Sequence, residues 1–408
     1  MIYVLNNQGE PLMPTRRNAH VRRLLDEGRA TVVALAPFTI RLAYDTEEGV
    51  QPVSLGVDAG TVHIGLSACS DKRELFKAEV QLRTDIVDNI STRRAQRSTR
   101  RSRLRHRKPR FLNRRASKKR GWLPPSVRNK VETHKRAIAK VNSILPVSET
   151  HVEVGNFDAQ RINNPDIKGT EYQQGEQMGF WNVREYVLAR DGHTCQHCHG
   201  RSKDKVLNVH HIESRRTGGD APNNLVTLCE TCHKALHRGE IVLRRRRGQS
   251  LRDAAAMNAM KERLVDELRE TYPNVTRTYG YITKCHRIQY GAGKSHTDDA
   301  RMISRRFAAE PIGECWVMRQ VRRHNRQLHK ANKLKGGRLK RNQAPWKVKG
   351  FRLFDVVRWQ GEECYVSGRR SSGFFSLRDA EGKIVSVSTN CKKRSFLYSP
   401  KGFITLRK

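Results

Sequence analysis

The sequence predicts a multidomain α/β protein that ends in a small all-β region, and three observations carry that expectation. Strand-like and helix-like periodicities alternate on both sides of the middle of the chain. Two Cys-x-x-Cys pairs frame a compact module between those two halves. Short strands punctuated by glycine fill the C-terminal stretch. At 408 residues the chain has room for about two to four domains. Hydrophobic residues at 37% and aromatics at 7% suit several small cores better than one large one.

Charge narrows the partners. Eighty Lys and Arg stand against 40 Asp and Glu, a formal +40. A compact protein this basic repels itself unless a polyanion neutralises it. Nucleic acid fits, because basic side chains displace the counterions condensed on phosphates. A membrane does not. No run of about 18 apolar residues exists to span a bilayer, and no basic-apolar-small leader opens the chain. The basic stretches also lack the interleaved apolar face of a membrane-surface helix. Nine cysteines, four in the paired knuckles and five scattered (Cys69, Cys285, Cys315, Cys364, Cys391), suit a reducing cytoplasm and a metal.

Residues 1–52 read as a small α/β unit: a strand at 2–5, a basic helix at 17–27, and strands at 31–33 and 39–43. Pro11-Leu12-Met13-Pro14 between them reads on its own as a Pro-bounded turn. Three strands follow at 53–58, 62–69 and 76–82. The composition then changes. From Asn89 to Val131 there is no Asp or Glu, while Arg93, Arg94, Arg97, Arg100, Arg101, Arg105 and Arg107 recur. A helix so poor in apolar residues cannot build a core, which points to contact with a phosphate backbone in preference to a solvated tail. A second helix at 126–145 precedes a strand at 150–155. Beyond the cysteine-framed module, helices at 257–270 and from 295 flank residues 276–289. Residues 319–343 are a basic connector, and from Trp346 onward short strands suggest a small barrel, SH3-like in size.

Cys195-x-x-Cys198 and Cys229-x-x-Cys232 supply four thiolates, enough to close a tetrahedral structural zinc site. His193, His197 and His199 crowd the first knuckle, but a complete thiolate shell leaves them as surface residues. Between the knuckles, a strand ends in His210-His211, a loop carries Asn224, and a helix carries His233 and His237. Phosphodiester hydrolysis needs a base for water, which a near-neutral imidazole provides. It also needs a divalent ion to stabilise charge on the phosphate. This segment resembles the ββα-metal motif of HNH nucleases. The resemblance implies His211 as the base, His210 and His233 as ligands of Mg²⁺ (or Mn²⁺), and Asn224 orienting the loop or His211.

A second constellation is dispersed. Asp58 interrupts an apolar strand beside Gly56 and Gly60, and Glu153 interrupts another. His296 and Asp299 sit at i and i+3, on one helix face. A carboxylate inside an apolar strand is costly unless paired or bound to metal. Acids in this order resemble a RuvC nuclease split into three parts, on an RNase H-like sheet, holding divalent ions through Asp58, Glu153 and Asp299. His296 is left open as ligand or base.

Taken together with the Pro11–Pro14 signature and the Arg-rich bridge helix, the order resembles the IscB family. These are transposon-encoded RNA-guided endonucleases related to type II CRISPR effector nucleases. The resemblance implies an N-terminal domain at 1–52, RuvC parts at 53–83, 125–164 and 256–318, and a bridge helix at 84–124. It places an HNH domain with connectors at 165–255 and a C-terminal region at 319–408 that reads a short target-adjacent motif. It implies a large structured guide RNA (ωRNA), a double-stranded DNA target, and a monomeric protein in a cytoplasmic, nucleoid-associated ribonucleoprotein. HNH would cut the guide-paired strand and RuvC the displaced one. An RNA-independent homing or junction-cleaving nuclease does not explain the Arg-rich helix. A decayed RNA-binding protein does not explain the intact Asp58, Glu153, His211 and Asp299.

Overall fold

The first strand, β1 (Tyr3–Leu5), and the first helix, α1 (Asn18–Asp26), owe their places to a few apolar residues. Val21 and Leu24 of α1 pack on Ile2, Val4, Ile40 and Leu42 beneath a three-stranded sheet. That sheet runs β1-β3-β2, with β2 at Ala30–Leu35 and β3 at Phe38–Leu42. Pro11–Pro14 is more than a turn: the Leu12 amide donates to the Val4 carbonyl at 2.9 Å, so the segment runs beside β1. Leu12 packs on this small core while Met13 reaches the larger one.

This computed structural model describes residues 1–46, 49–103, 121–155, 177, 179–214, 219–244, 246–248, 252–322, 330–331, 338–339 and 345–408. Two units emerge, residues 1–156 with 256–408, and residues 157–255. In the first, β4 (Val53–Ala59), β5 (His63–Cys69) and β6 (Glu74–Gln81) form an antiparallel meander. Helix α2 (Ile86–Arg103) leaves the sheet with Arg93, Arg94 and Arg97 exposed. The side chains of Arg100 and Arg101, and all of Arg105 and Arg107, lie outside the described residues. Helix α3 (Pro125–Asn142) leads back to β7 (Val147–Glu153), which lies parallel to β4.

The second unit holds α4 (Val183–Arg190), an antiparallel pair β8 (Leu207–His211) and β9 (Leu225–Cys229), and α5 (Glu230–Arg238). The first unit then resumes with α6 (Arg252–Arg269), β10 (Val275–Thr278), α7 (Gly280–Gln289), α8 (His296–Ile303) and β11 (Trp316–Gln320). Short strands β12 (Lys330–Ala331) and β13 (Arg338–Leu339) pair with each other. Next come β14 (Val356–Trp359), β15 (Glu362–Arg369), β16 (Phe374–Arg378), β17 (Ile384–Asn390) and β18 (Ser395–Tyr398), an antiparallel sheet ordered β17-β16-β15-β14-β18. The last strand, β19 (Phe403–Arg407), leaves that sheet and pairs antiparallel with β11. Sequence had grouped it with the C-terminal strands, because alternation marks a strand without naming its partner.

The large sheet therefore runs β10-β7-β4-β5-β6-β11-β19. Successive side chains of a strand point to opposite faces. Val53, Leu55 and Val57 of β4 and Ile64, Leu66 and Ala68 of β5 share a core with Val131, Ile138 and Val141 of α3 and Met260, Leu264 and Leu268 of α6. The alternate residues Ser54, Gly56 and Asp58 face α8. No helix among the described residues is long and apolar enough to cross a membrane.

One buried carboxylate ties α3 to α6. Glu267 is 3% exposed and accepts from Lys135 Nζ at 2.8 Å, from Arg263 Nε at 2.6 Å and from Arg128. Burial opposes its ionisation, but the hydrogen bonds from Lys135, Arg128 and Arg263 win and hold its pKa down at about 2. A depressed carboxyl stabilises the fold above its unfolded pKa and loses that contribution as pH falls through the folded value. Glu267→Gln should therefore cost about 1–2 kcal/mol in urea unfolding at neutral pH, since it weakens charge-assisted hydrogen bonds whose cationic ends are partly exposed and screened by solvent. The difference from the unsubstituted protein should shrink steadily below pH ~4.5.

Candidate functional site

In the second unit a strand, a loop and a helix converge. His210 on β8 meets His233 and His237 on α5, and one nitrogen from each lies within 4.8 Å of the others. His233 and His237 are one helical turn apart, their Nε2 atoms 3.2 Å from each other. Burial, together with the neighbouring His233, His237 and His211, pushes His210 down to about 4. Burial and His237 lower His233 as well. Both are neutral near pH 7, with lone pairs free to bind a metal. Three imidazoles suit a divalent first-row ion; Mg²⁺ would take its remaining ligands as oxygen from water or phosphate.

His211, the next residue of β8, instead bonds through Nε2 to Asp220 Oδ1 at 2.9 Å. Asn224 is fully buried and braces the loop between β8 and β9. Its Oδ1 accepts from the Glu213 amide at 2.9 Å, and its Nδ2 donates to the carbonyls of Gly219 (2.9 Å) and Glu213 (3.1 Å). Of its two expected roles, these contacts are those of loop bracing. The same loop carries Asp220, so Asn224 reaches His211 through it.

The four thiols of Cys195, Cys198, Cys229 and Cys232 also gather within 4.8 Å. Cys198 and Cys229 Sγ are 3.8 Å apart, the edge expected of a tetrahedron with Zn–S bonds of about 2.3 Å. Ser202 Oγ lies 3.3 Å from Cys198 Sγ and 3.1 Å from Cys229 Sγ. Burial alone would raise the Cys198 thiol, but hydrogen bonds from Ser202 and the neighbouring cysteines outweigh it and bring it to about 6. The donor set fits zinc, and His193, His197 and His199 stand outside it.

The first unit assembles the dispersed residues. Asp58 and Glu153 are register partners on the parallel strands β4 and β7. His296 Nδ1 lies 2.6 Å from Asp58 Oδ2, across 238 positions of sequence. Two glycines permit this approach. A Cβ on Gly56 would sit 1.9 Å from the Ala300 carbonyl oxygen, and one on Gly65 would sit 1.8 Å from that of His296. The far end of α8 is pinned by Ser54 Oγ, which donates to the Ser304 carbonyl at 2.7 Å. Thr283 of α7 donates to Glu153, and Arg287 reaches Asp299 at 3.4 Å. Gly280, first residue of α7, lies against Glu153, which turns the positive end of that helix toward the carboxylate.

Electrostatics show strain among the acids. Burial raises Glu153, and the charges of Asp58 and Asp299 raise it further against the Thr283 bond. Burial raises Asp299 too, Arg287 opposing and Asp58 adding. The bond to Asp58 raises His296. Carboxyls pushed up first by burial and then by one another's charge, with Arg287, Thr283 and His296 opposing, suit divalent cations with oxygen ligands. His63 stacks on His296 (centroids 5.5 Å, planes 6° apart) and lies 2.7 Å from Glu79 Oε1.

Residues 195–239 match the family model described as HNH endonuclease. The module is an HNH endonuclease domain. Residues 2–175 match the family described as RRXRR protein. No curated protein matches the chain. Among solved structures, it is similar to the type II-C Cas9 enzyme from Actinomyces naeslundii, at 12% identity and a TM-score of 0.27, over 62% of this chain. The match spans 59% of that enzyme's length.

The sequence marked His237 and Asp220 as part of the HNH segment without giving them a role, and left Ser202 there, and Thr283, Arg287, His63 and Glu79 around Asp58, unremarked. Only His237, at i+4 from His233, carried a local signal. Elemental analysis of purified protein should find one zinc per chain, lost in Cys198→Ala with melting of the HNH unit. Glu153 has a raised folded pKa, so its stabilising share is full below the unfolded value and lost as pH rises through the folded one. In EDTA, Glu153→Gln should therefore melt higher than the unsubstituted protein, and by more at pH 8 than at pH 5. Added Mg²⁺ should raise the unsubstituted protein more than the variant.

Proposed function

We propose that this chain is an RNA-guided DNA endonuclease of the IscB type with two cutting centres. The observation that carries the reading is the convergence of Asp58, Glu153, His296 and Asp299 at one end of the large sheet, separate in fold from the HNH site. The meander β4-β5-β6 flanked by parallel β7 and β10 supports an RNase H-like, RuvC-type core. Its three acids would hold Mg²⁺ or Mn²⁺, and His210, His233 and His237 would hold a divalent ion in the HNH domain. The bound ions would supply charge stabilisation on the scissile phosphate and the departing oxygen.

The protein's own residues do the rest. His211 takes the proton of the attacking water, and Asp220 holds its other nitrogen and stabilises the cation that results. Asn224 keeps the loop bearing Asp220 in place. At the RuvC-type centre, Asp58 fixes the His296 ring and favours its protonated form, while Thr283 and Arg287 orient Glu153 and Asp299. HNH would cut the guide-paired strand and the RuvC-type centre the displaced strand.

The excess of cations and the exposed Arg93, Arg94 and Arg97 support a guide RNA as partner, with the pairing, not the protein, reading sequence. The C-terminal β-rich region would read a short motif beside the target. The particle would be a monomer with its RNA, working on nucleoid DNA in a prokaryotic cytoplasm.

Protein purified with its RNA should cut a matching duplex in Mg²⁺, and RNA-stripped protein should not. His211→Ala should slow cleavage of the paired strand by roughly 10²–10⁴-fold and leave the other strand cut. Asp58→Ala should do the reverse. Equal cutting without RNA would overturn the guided reading, and loss of both cuts in either variant would overturn two independent centres.

A further inference from the structure

A cavity of about 1110 Å³ opens in the first unit between α3, the end of β11, the turn before β19 and the C-terminal sheet. Its walls are cationic: Arg136 and Lys140 of α3, Arg322, Arg352, Arg369 and Lys401 all line it. The carboxylate in its lining, Asp355, is already engaged. It is 1% exposed and accepts from Ser399 Oγ at 2.6 Å and from the Arg352 amide at 2.7 Å. Among the described residues no ion pair neutralises Arg136, Lys140, Arg322 or Lys401. Burial lowers the Lys140 ammonium, and the charge of Lys401 lowers it further. Like charges held this way around one space call for an anion.

The chain cannot supply that anion locally. Between Glu314 and Asp355 the sequence contains no Asp or Glu at all. A small inorganic anion would leave most of the cavity empty, whereas several cations spread along its walls match a chain of phosphates. Trp346 also lines it, 58% exposed, with the Arg352 guanidinium 5.8 Å from its ring centroid. An exposed indole beside a cationic channel is a platform for an unpaired base.

We infer that this cavity binds a single-stranded stretch of nucleic acid, its phosphates among Lys140, Arg136 and Lys401 and one base stacked on Trp346. None of its lining residues belongs to either cutting centre. The inference rests on charge and shape, and holds whether or not cleavage is RNA-guided.

Fluorescence anisotropy on the full chain tests it, with labelled oligo(U), oligo(dT) and a DNA duplex of about 16 nucleotides per strand. The Lys140→Gln/Lys401→Gln double variant should bind single strands about tenfold more weakly and flatten the salt slope by roughly 1.4, two phosphates at ~0.7 each. A control with the same charge change in the other unit, Lys203→Gln/Lys205→Gln, should leave the cavity contribution intact. Trp346→Ala should weaken single strands by at least about fivefold and spare the duplex, and Trp346→Phe should restore binding. A larger effect on oligo(U) assigns the site to RNA, and a larger one on oligo(dT) to a DNA strand. Equal losses in the cavity and control pairs would show diffuse surface charge and overturn the site. Equal losses on duplex and single strands in Trp346→Ala would overturn the single-strand assignment.

Discussion

The contact of α8 with bare backbone on the large sheet is the constraint on which the dispersed site depends. Helices normally stand about 10 Å from a sheet on a layer of side chains. Here Gly56 and Gly65 remove that layer, so the backbone of α8 descends onto β4 and β5. His296 then reaches Asp58, and Asp299 comes near enough for the Asp58 charge to act on it. The pleat does the sorting: one face of β4 offers Val53, Leu55 and Val57 to α3 and α6, and the other offers Ser54, Gly56 and Asp58 to α8. A stable core and Asp58, the acid around which the others gather, thus share the same strand.

The HNH domain solves a different problem. Its apolar core divides into two small clusters, Val226 and Leu228 with the cysteines, and Tyr186, Val187 and Leu225. A core that small needs a staple. The second knuckle lies at the junction of β9 and α5, so whatever fixes Cys229 and Cys232 also fixes the helix that presents His233 and His237. The thiol cluster and the imidazole cluster are therefore mechanically continuous. Asn224 adds the remaining wall by holding the loop from which Asp220 meets His211.

What the sequence revealed follows from where residue types break their local pattern. Asp58 and Glu153 interrupt apolar strands, His296 and Asp299 recur on one helix face, and the knuckles are spaced for chelation. Each is a local anomaly. Asp220, Thr283, Arg287 and Glu79 are ordinary polar residues in ordinary loops, helices and strands; only tertiary contact gives them a partner. Gly56 was visible as a small residue beside Asp58 and Gly65 was not, and the helix that needs both lies more than 230 positions away. The parting of β19 from its neighbours was hidden for the same reason, since edge pairing is decided by the partner strand.

The charge of the molecule follows from the same allocation of acids. Carboxylates are scarce, and the well-placed ones have interior duties: Glu267 neutralises three cations between α3 and α6, while Asp58, Glu153 and Asp299 crowd one end of the sheet. Arg93, Arg94 and Arg97 on α2 are exposed, and the many cations around the C-terminal cavity share its lining with one carboxylate, Asp355. Such a surface suits phosphates, contacts to which position a nucleic acid without reading its bases. Under the proposed function that is an advantage, because base pairing with the guide supplies the sequence information. Under that function the acids serve chemistry and the core, and a polyanionic partner balances the remaining cations.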